Sequence, residues 1–524
     1  MYNIQIKQTG KSLLESLIAE DVFVENPCNG RGLCGKCKVR ILEGRCTPIQ
    51  ESEARLLTPE EIQLGIRLAC IAEPLEDLVV EVLQKEREHK VLTTGYRPEF
   101  VFHPKAINYG IAVDIGTTTV AISLVNMKTG EELAEASMIN AQKRYGLDVL
   151  TRITYEYENP DTGIADLQKV LVDSLNAMIE EVCYEGKISR TEVEEIVVSA
   201  NCTMLHTLLG VDAKSIGKAP YHPQFTKAQD IEAVSIGIKA GEHTRLYCLP
   251  SVSAFIGGDI VAGAYVCGLQ KEPGCILFID IGTNGEIVLA DHGHLLSCSC
   301  AAGPALEGMN ISCGTRAASG AIEDVKITEE GVILTTIEQE PAMGICGSGI
   351  LAVVKELIRT GLVKKSGAFI KRSELDPLDY RYSMIQENGK KREFILSEHP
   401  KFLITQSDIR QVQLAKGAIL SGFNALLKVA GKEMKDLDKV LIAGQFGAHL
   451  SKDSLTGTGI LPQEIQSKLE YLGNSAKTGA YMALMSEEIK REMEELAMAV
   501  DYMELAETKG YERVFTDSLI FPEL

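Results

Sequence analysis

The sequence predicts a multidomain protein in which a small α+β domain precedes a larger α/β part built from a repeated unit. Three observations support this fold class. The chain has 524 residues, which is more than one hydrophobic core usually supports. Four of its amino-terminal cysteines have the spacing C-x5-C-x2-C-x32-C, and a strand, D-x-G-T turn, strand pattern occurs twice further along. We therefore expect two kinds of domain with different chemistry.

The cysteines Cys28, Cys34, Cys37 and Cys70 are predicted to bind a 2Fe-2S cluster. Thiolates select iron-sulfur clusters, zinc or Cu(I), and the glycines between the first three allow a tight loop whose amides approach cluster sulfurs. The spacing resembles that of plant-type ferredoxins, whose first gap is one residue shorter, and this implies a β-grasp ferredoxin-like domain. The alternative is a structural zinc site, but such sites usually pair two C-x2-C hooks and Cys70 stands alone. Cys46 is expected to be a bystander thiol.

The segments around these cysteines predict the elements of this small domain. Strands are expected at residues 3–6, 38–42 and 78–83, and a helix at residues 12–18. The residues T-P-E-E at 58–61 form a capping box with proline at the first helical position, so a second helix should begin there. We place the domain at residues 1–86 and a linker at residues 87–107, because periodicity is lost there and glycine and proline appear.

Composition bounds the cellular setting and the partners. The net charge of -20 argues against binding nucleic acid, which requires a positive face. The start lacks a signal-peptide pattern, and no apolar run approaches the roughly 18 residues of a membrane span. We therefore expect a cytoplasmic protein with no membrane association, whose cysteines are thiols or metal ligands. An intact iron-sulfur centre further suggests an anaerobic cell.

The repeat is the second informative feature. The residues AVDIGTTT at 112–119 recur as FIDIGTNG at 278–285, each between apolar strands. Glycine lets such a turn present amides to phosphate oxygens, threonine adds hydroxyl donors, and the aspartate can hold Mg2+ through water. The predicted phosphate and metal contacts are Asp114, Gly116, Thr117, Thr118 and Thr119 in the first copy, and Asp280, Gly282, Thr283 and Asn284 in the second. Asp114, Asp280 and Glu286 are the candidate catalytic residues, with Asp280 or Glu286 positioning the attacking water.

A third element completes a nucleotide site. The apolar residues 440–443 are predicted to form a buried strand that runs into a tight turn, Gly444, Gln445, Phe446 and Gly447, expected to approach an adenosine. Another small-residue turn contains Gly347 and Ser348 and is expected near the nucleotide. The sequence contains no G-x-x-x-x-G-K-[ST], which excludes a P-loop. Residues 473–479 look superficially similar but are predicted to start a helix capped by Asn474 or Ser475, without an apolar strand before it.

This constellation resembles the sugar kinase, Hsp70 and actin superfamily, in which two ribonuclease-H-like lobes close on ATP. The resemblance matches Asp114 and Asp280 to the two phosphate motifs and Gly444 with Gly447 to the adenosine motif. It implies a first lobe at residues 108–270 and a second at residues 271–524.

Other polar residues are weaker candidates. Residues 201–206 follow an apolar run and should lie at the carboxyl end of a strand, where α/β sites usually occur. Asp259 follows two glycines and could orient water or metal. Cys298, Cys300 and Cys313 could suggest a second cluster, but small buried cysteines are common in cores, and we expect core residues.

Taken in order, the parts resemble the reductive activators of corrinoid proteins, found with anaerobic methyltransferase systems. Residues 301–308 and 472–476 also resemble that family. The resemblance implies an ATP-hydrolysing iron-sulfur reductase that passes one electron to the Co(II) corrinoid of a partner methyltransferase system and regenerates Co(I). Its cofactors would be a 2Fe-2S cluster, ATP and Mg2+. Its partners would be the corrinoid protein and an upstream low-potential electron donor, and it could form a homodimer.

Three other functions share some of these motifs. An ATP-driven electron donor to another low-potential metalloenzyme would differ only in its partner. A small-molecule kinase would use the same ATP site but has no reason to carry a cluster. An Hsp70-type binder would need an additional peptide-binding β-domain after the ATPase, and no such segment follows here.

Overall fold

The computed structural model describes residues 2–20, 22, 24, 30, 32, 35–83, 95–102, 108–388, 391–444 and 450–523. The chain divides into two compact units, Met1–Glu88 with Gln142–Tyr155, and His89–Ala141 with Glu156–Leu524. Within the described ranges, none of the helices carries an apolar stretch long enough to cross a bilayer.

The amino-terminal unit contains a four-stranded antiparallel sheet. Its strands are β1 (Tyr2–Ile6), β2 (Lys38–Glu43), β3 (Ile66–Leu68) and β4 (Leu78–Val82), in the order β1-β4-β2-β3. Its helices are α1 (Leu13–Ala19), α2 (Glu51–Ala54) and α3 (Pro59–Gln63). Capping boxes start α1 at Ser12 and α3 at Thr58, because each hydroxyl accepts from an amide of the first turn that would otherwise lack a partner. These starts and the predicted strands are confirmed.

A buried ion pair braces the strand that leads to Cys70. Arg67, on β3, donates from Nε and Nη2 to the two carboxylate oxygens of Glu53 at 2.8 Å each. The amide of Leu68 donates to the same carboxylate at 2.8 Å, and Glu53 is fully buried. A bidentate pair with an added amide satisfies a buried carboxylate that would otherwise be costly. The end of β3 is therefore held firmly two residues before Cys70.

The first lobe of the larger unit contains a six-stranded sheet. Its strands are β5 (Tyr109–Ile115), β6 (Thr119–Asn126), β7 (Glu132–Ile139), β8 (Val193–Ala200), β9 (Gln229–Glu232) and β10 (Arg245–Cys248). The helices along this stretch of chain are α4 (Val149–Glu158), α5 (Gly163–Glu185), α6 (Cys202–Leu209) and α7 (Gly258–Val266). The strand order is β7-β6-β5-β8-β10-β9.

The second lobe contains another six-stranded sheet and two small three-stranded sheets. The large sheet has β11 (Cys275–Ile281), β12 (Gly285–Asp291), β13 (His294–Cys300), β20 (Lys439–Ala443), β21 (Leu469–Gly473) and β22 (Val500–Tyr502). The small sheets have β14 (Ala321–Ile327), β15 (Val332–Thr336), β16 (Gly344–Ile345), β17 (Ile385–Asn388), β18 (Lys391–Glu398) and β19 (Lys401–Thr405). The helices are α8 (Gly347–Arg359), α9 (Tyr380–Met384), α10 (Gln406–Ala430), α11 (Lys452–Gly457), α12 (Ser475–Met485), α13 (Glu487–Ala499) and α14 (Tyr511–Asp517).

The two large sheets repeat one topology. The order β7-β6-β5-β8-β10 in the first lobe corresponds to β13-β12-β11-β20-β21 in the second. In each lobe three antiparallel strands are followed by two parallel ones. This is the arrangement of a duplicated ribonuclease-H-like fold, so the predicted fold class is confirmed. Asp114 and Asp280 lie one residue before the ends of the equivalent strands β5 and β11.

The helices α7 and α12 contribute to the core shared by the two lobes. One buried cluster combines their apolar residues with Ala112 and Val197 of the first sheet and Phe278 and Leu441 of the second. The helices approach closely because a Cβ on Gly479 would lie 2.8 Å from the Cα of Ala262. Close packing of this kind fixes the first turn of α12 against the first sheet.

The described part of the predicted linker, residues 95–102, contacts the second lobe. Gly95 forms a β-bridge with Gly473, and the Tyr96 amide donates to the Leu472 carbonyl at 2.6 Å. Phe100 packs edge-on against Tyr481 of α12, with ring centroids 6.0 Å apart. This segment therefore lies along the end of β21, next to the start of α12.

One local prediction was wrong. Residues 473–479 do start a helix, and Asn474 is its N-cap as predicted. However, strand β21 comes directly before it, and both Leu469 and Leu472 are buried. Glu470 and Tyr471 separate these leucines, so the segment reads as weakly apolar, although Leu469 and Leu472 each pack into a hydrophobic cluster, and the two clusters are different.

Candidate nucleotide and cluster sites

Both D-x-G-T turns are closed by the amide of their glycine, although the second turn is one residue shorter than the first. The Gly116 amide donates to the Thr119 carbonyl and the Gly282 amide donates to the Asn284 carbonyl, each at 2.8 Å. The glycine amides are therefore used inside the turns. The side chain of Asn201, the N-cap of α6, donates to the Thr117 hydroxyl at 3.0 Å.

Four carboxyl groups, Asp114, Asp259, Asp280 and Glu286, form an acidic cluster between these turns. Asp280 and Glu286 are directly opposite on β11 and β12. Burial, and then the charge of Asp259, raises the pKa of Asp280 to about 7, and burial raises the pKa of Asp259 to about 6. Burial also raises the pKa of Glu286 well above its usual value, with Asp259 and Asp280 adding to the effect. The structure thus brings together the three predicted catalytic carboxyls and Asp259.

Asp114 accepts a hydrogen bond from the side-chain amide of Asn474, a residue that is far away in the sequence. Asn474 Nδ2 donates to Asp114 Oδ2 at 2.8 Å, while Asn474 Oδ1 accepts from the Lys477 amide at 2.8 Å and caps α12. Burial raises the pKa of Asp114 to about 7, and the Asn474 hydrogen bond opposes that rise. Sequence reasoning identified Asn474 as a helix cap but missed this second role.

Gly444 packs directly against the end of β11, the strand that carries Asp280. Its φ is +88°, and a Cβ there would lie 2.5 Å from Asp280 Oδ1, so both the backbone conformation and the space require glycine. Gln445, Phe446 and Gly447, the rest of the predicted adenosine turn, lie outside the described residues.

Glu307 joins the two hairpins and was missed by the sequence reasoning. Its Oε2 accepts from the Thr118 hydroxyl at 3.0 Å, and its Oε1 accepts from the Thr283 hydroxyl. Glu307 ends a short turn over residues 304–307, within the stretch that resembled a known family. The sequence does show a glutamate in a short turn bounded by glycine and proline, and this could have marked Glu307 as a candidate. The neighbouring residues do not show which groups Glu307 contacts.

Gly347 and Ser348 lie at the start of α8, which contacts the turn that carries Glu307. Ser348 Oγ is 3.2 Å from the sulfur of Cys346, the N-cap of α8. The structure therefore places this predicted turn beside the Glu307 turn.

The predicted cluster site is described only in part, because Cys28 and Cys34 lie outside the described residues. Cys37 Sγ and Cys70 Sγ are 3.2 Å apart, too far for a disulfide. Two sulfurs bound at about 2.3 Å to one tetrahedral ion would be about 3.8 Å apart, so the two thiols lie side by side but closer than in such a pair.

The glycines of the cysteine loop fit a cluster. Gly30, Gly32 and Gly35 all have positive φ, and a Cβ on Gly32 would come within 3.0 Å of the Ile71 side chain. A larger residue there would press on the segment that carries Cys70. A Cβ on Gly30 would lie 4.0 Å from the Cβ of Cys70, so the backbone at this glycine lies near one predicted ligand, as a small anionic cluster requires. Cys46 is half-buried, and burial raises its pKa.

The other cysteine group belongs to the core. Cys298 and Cys300 are buried on β13 and pack against Gly422 of α10, and burial raises the pKa of Cys298 far above the usual thiol value. Among the described residues, no three His, Cys, Asp or Glu side chains come together closely enough to hold a metal ion.

The duplicated lobes, with an acidic cluster between two phosphate-type hairpins, define the ATPase class that includes sugar kinases, Hsp70 and actin, here preceded by a ferredoxin-like domain. Comparison with protein families agrees. Residues 274–524 match the C-terminal ASKHA domain of RACo, residues 109–272 the RACo middle region, and residues 2–75 the 2Fe-2S iron-sulfur cluster binding domain. The chain belongs to the RACo family.

Individual relatives extend this result. A solved structure named reductive activator for corrinoid, iron-sulfur protein is 29% identical, with a TM-score of 0.70, and the match covers 100% of this chain and 99% of that one. The corrinoid activation enzyme RamQ of Eubacterium limosum is 33% identical over 72% of this chain and 65% of its own length. The Co(II) methylated amine-specific corrinoid protein reductase of Methanosarcina barkeri is 23% identical over 79% of this chain and 77% of its own. The match with RamQ therefore spans somewhat less than two thirds of that relative.

Proposed function

We propose that this protein is an ATP-dependent reductive activator that passes one electron to the Co(II) corrinoid of a partner methyltransferase system and regenerates Co(I). The observation that carries the proposal is the combination, in one chain, of paired ferredoxin-type cysteine sulfurs with two phosphate hairpins that meet at one acidic cluster. Relatives named for corrinoid activation and corrinoid reduction support the choice of partner.

The proposed cluster ligands are Cys28, Cys34, Cys37 and Cys70. A bound 2Fe-2S cluster would supply a site that stores and releases one electron. The contribution of the chain would be to hold Cys70 two residues after β3, the strand that the buried Arg67–Glu53 ion pair fixes, with Gly30 close to Cys70. Such a rigid setting limits reorganisation when the charge changes.

The proposed nucleotide contacts come from both lobes. Thr117, Thr118 and Thr119 would bind phosphate oxygens from the first lobe, and Thr283 and Asn284 from the second, with Gly116 and Gly282 shaping the turns. The Gly444 turn would approach the adenosine, and Gly347 and Ser348 would lie near the same ligand.

We propose that Mg2+ binds at Asp114 and Asp280. The supporting observation is the raised pKa of both groups, to about 7, which burial causes first and the charge of Asp259 increases further. The Ser199 hydroxyl, on the strand position beside Asp114, is buried and has no hydrogen-bond partner in the described part of the chain. Carboxylate and hydroxyl oxygens suit Mg2+, which usually binds one or two carboxylates and completes its shell with water and phosphate.

Water attack on the terminal phosphate needs a group that accepts or orients a proton. Burial and the neighbouring carboxylates raise the pKa of Glu286, and Asp280 has a pKa of about 7. A proton acceptor works best when its pKa is near the working pH. We propose that Asp280 or Glu286 orients the attacking water.

The energy required is compatible with nucleotide binding. Plant-type 2Fe-2S centres have potentials near about -400 mV, and a further gap of about 150 mV for one electron corresponds to about 3.5 kcal/mol. A ligand that moves a two-state equilibrium from 1:99 to 99:1 supplies about 5.5 kcal/mol. ATP could therefore drive transfer by favouring one state of the complex, without changing the cluster.

The test is anaerobic and spectroscopic. The reduced protein is mixed with a Co(II) corrinoid protein, with and without MgATP, and the Co(I) absorbance is followed. We expect Co(I) only with MgATP, none with the Cys70→Ser variant, and a strongly slowed reaction with Asp280→Asn. ATP-independent Co(I) formation would remove the proposed role of the nucleotide. Transfer to a different low-potential metalloenzyme, but not to the corrinoid protein, would establish the alternative partner.

An upstream low-potential donor is part of the proposal, because each turnover leaves the cluster oxidised. A homodimer is also proposed. The donor can be sought by reduction assays with purified ferredoxins, and the oligomeric state can be measured by light scattering.

A further inference from the structure

Glu307 has a buried carboxylate, and each of its two oxygens accepts a hydrogen bond from a different lobe. The residue is 3% exposed. Its Oε2 accepts a hydrogen bond from the Thr118 hydroxyl, on the first hairpin, at 3.0 Å, and its Oε1 accepts one from the Thr283 hydroxyl, on the second hairpin. The carboxylate therefore bridges the two turns, which lie in separate halves of the duplicated fold.

The backbone around Glu307 leaves it little freedom. The turn over residues 304–307 is bounded by Gly303 and Gly308, both with a φ of +77°. A Cβ on Gly308 would lie 2.8 Å from the carbonyl carbon of Thr315, so the two backbones are in contact. Ala305 and Leu306 are buried in the core of the second lobe. A rigid support of this kind holds a side chain in a set orientation.

A hydroxyl group has one proton to donate. While Thr118 and Thr283 donate to Glu307, they cannot donate the same protons to a phosphate oxygen. A carboxylate at this position also repels a bound phosphate, since both are negative and lie between the same two turns. The interaction of Glu307 with the two threonines and the binding of phosphate are therefore in competition.

From this geometry we infer that Glu307 is a positioning residue that holds the two hairpins together without nucleotide and competes with the phosphates for the Thr118 and Thr283 hydroxyls. This inference rests on the proposed nucleotide site. It assigns Glu307 a role in the release of MgADP. After hydrolysis, the carboxylate accepts the hydrogen bonds of the two threonine hydroxyls again, and this lowers the affinity of the site for the product. No bond is made or broken by Glu307 itself.

The diagnostic variant is Glu307→Gln, which preserves the shape of the side chain but removes the charge and one acceptor. We expect MgADP to bind about tenfold more tightly, the size of effect typical of one charge-assisted hydrogen bond. The KM for MgATP and kcat should both fall, because the product leaves more slowly, with kcat/KM little changed. Glu464→Gln, an exposed residue of the same lobe, is the matched control and should behave as wild type.

A double-mutant cycle separates competition from simple bracing. In a Thr118→Val, Thr283→Val background no hydroxyl protons remain to compete for, so adding Glu307→Gln should tighten MgADP binding by less than about threefold. Glu307→Asp, which keeps the charge but cannot reach both hydroxyls, should release MgADP at a rate between wild type and Glu307→Gln. It also serves as the test if Glu307→Gln does not fold.

Two results would overturn the inference. One is MgADP binding by Glu307→Gln that is unchanged or weaker, with a raised KM, as expected if the residue only braces the lobes. The other is an equal gain in the valine background, which would show that the hydroxyls are not involved. A wild-type protein that binds no nucleotide would instead refute the proposed function, so the two failures are distinguishable.

Discussion

Asn474 offers a direct test of how the acidic cluster is tuned. Its side chain donates to Asp114 at 2.8 Å and caps α12 at the same time. Removing the donor should raise the pKa of Asp114 above its present value of about 7. A hydrogen bond to a charged group contributes about 1.5–3 kcal/mol, which corresponds to about one to two pKa units.

The two roles of Asn474 can be separated by the choice of substitution. Asn474→Ser retains a good N-cap but cannot reach Asp114, whereas Asn474→Ala loses both interactions and should cost a further ~1 kcal/mol of stability. If the pKa of Asp114 rises by about one unit, its charged fraction at pH 7 falls about fivefold. Mg2+ and nucleotide affinity should fall with it.

The assay is MgATP hydrolysis by wild type and both variants between about pH 6 and pH 9. The acidic limb of Asn474→Ser should move to higher pH by about one unit, and activity should recover at alkaline pH. Because the carboxyls of the cluster affect one another's ionisation, the shift is read as a difference between variants. The reasoning is refuted if the Asn474→Ser limb coincides with that of wild type, or if the lost activity does not recover at high pH.

Three further predictions concern the cluster, the adenosine turn and stability. Cys70→Ser should lose bound iron and visible absorbance in anaerobic preparations, whereas Cys46→Ser should retain both; equal loss would contradict the ligand assignment. Gly444→Ala should weaken nucleotide binding at least about tenfold, because its Cβ would press on Asp280 Oδ1. The control is Gly431→Ala, a position with a similar positive φ but open space, and this variant should lose only some stability. Burial raises the pKa values of the acidic cluster, so the folded state binds more protons than the unfolded state between about pH 4 and pH 7. Tm should therefore fall as the pH rises through this window, and it should fall less with MgADP present. A Tm that rises there without ligand would contradict this prediction.

Features coded by neighbouring residues were predictable from the sequence. The capping box at Thr58 places its acceptor three residues from its donor, and the D-x-G-T turns lie between apolar strands. Because these interactions are local, the residue pattern contains all the participants. The duplication was predictable for the same reason, since both hairpins carry the same short pattern.

The contacts that complete the candidate site were not predictable in this way. Glu307 reaches Thr118 across 189 positions, and Asn474 reaches Asp114 across 360. Neither residue has a local pattern that names its partner. Their roles depend on how the two lobes pack around α7 and α12, which is set by the whole core.

Duplication also creates an electrostatic problem that bears on the function. Each lobe brings an aspartate to the end of its central strand, and the first lobe also carries Asp259, so Asp280 of the second lobe meets the charges of both Asp114 and Asp259. The charge of Asp259 likewise raises the free energy of ionising Asp114. At neutral pH this repulsion opposes closure. The Glu307 bridge to Thr118 and Thr283 adds a further carboxylate but holds the lobes by hydrogen bonds. The proposed Mg2+ would reverse this balance, because a divalent cation would turn the repulsion among the carboxylates into shared attraction. Different contacts would then hold the lobes together without MgATP and with MgATP. MgATP would therefore bind the two states of the protein with different free energies, and this difference would favour one of them.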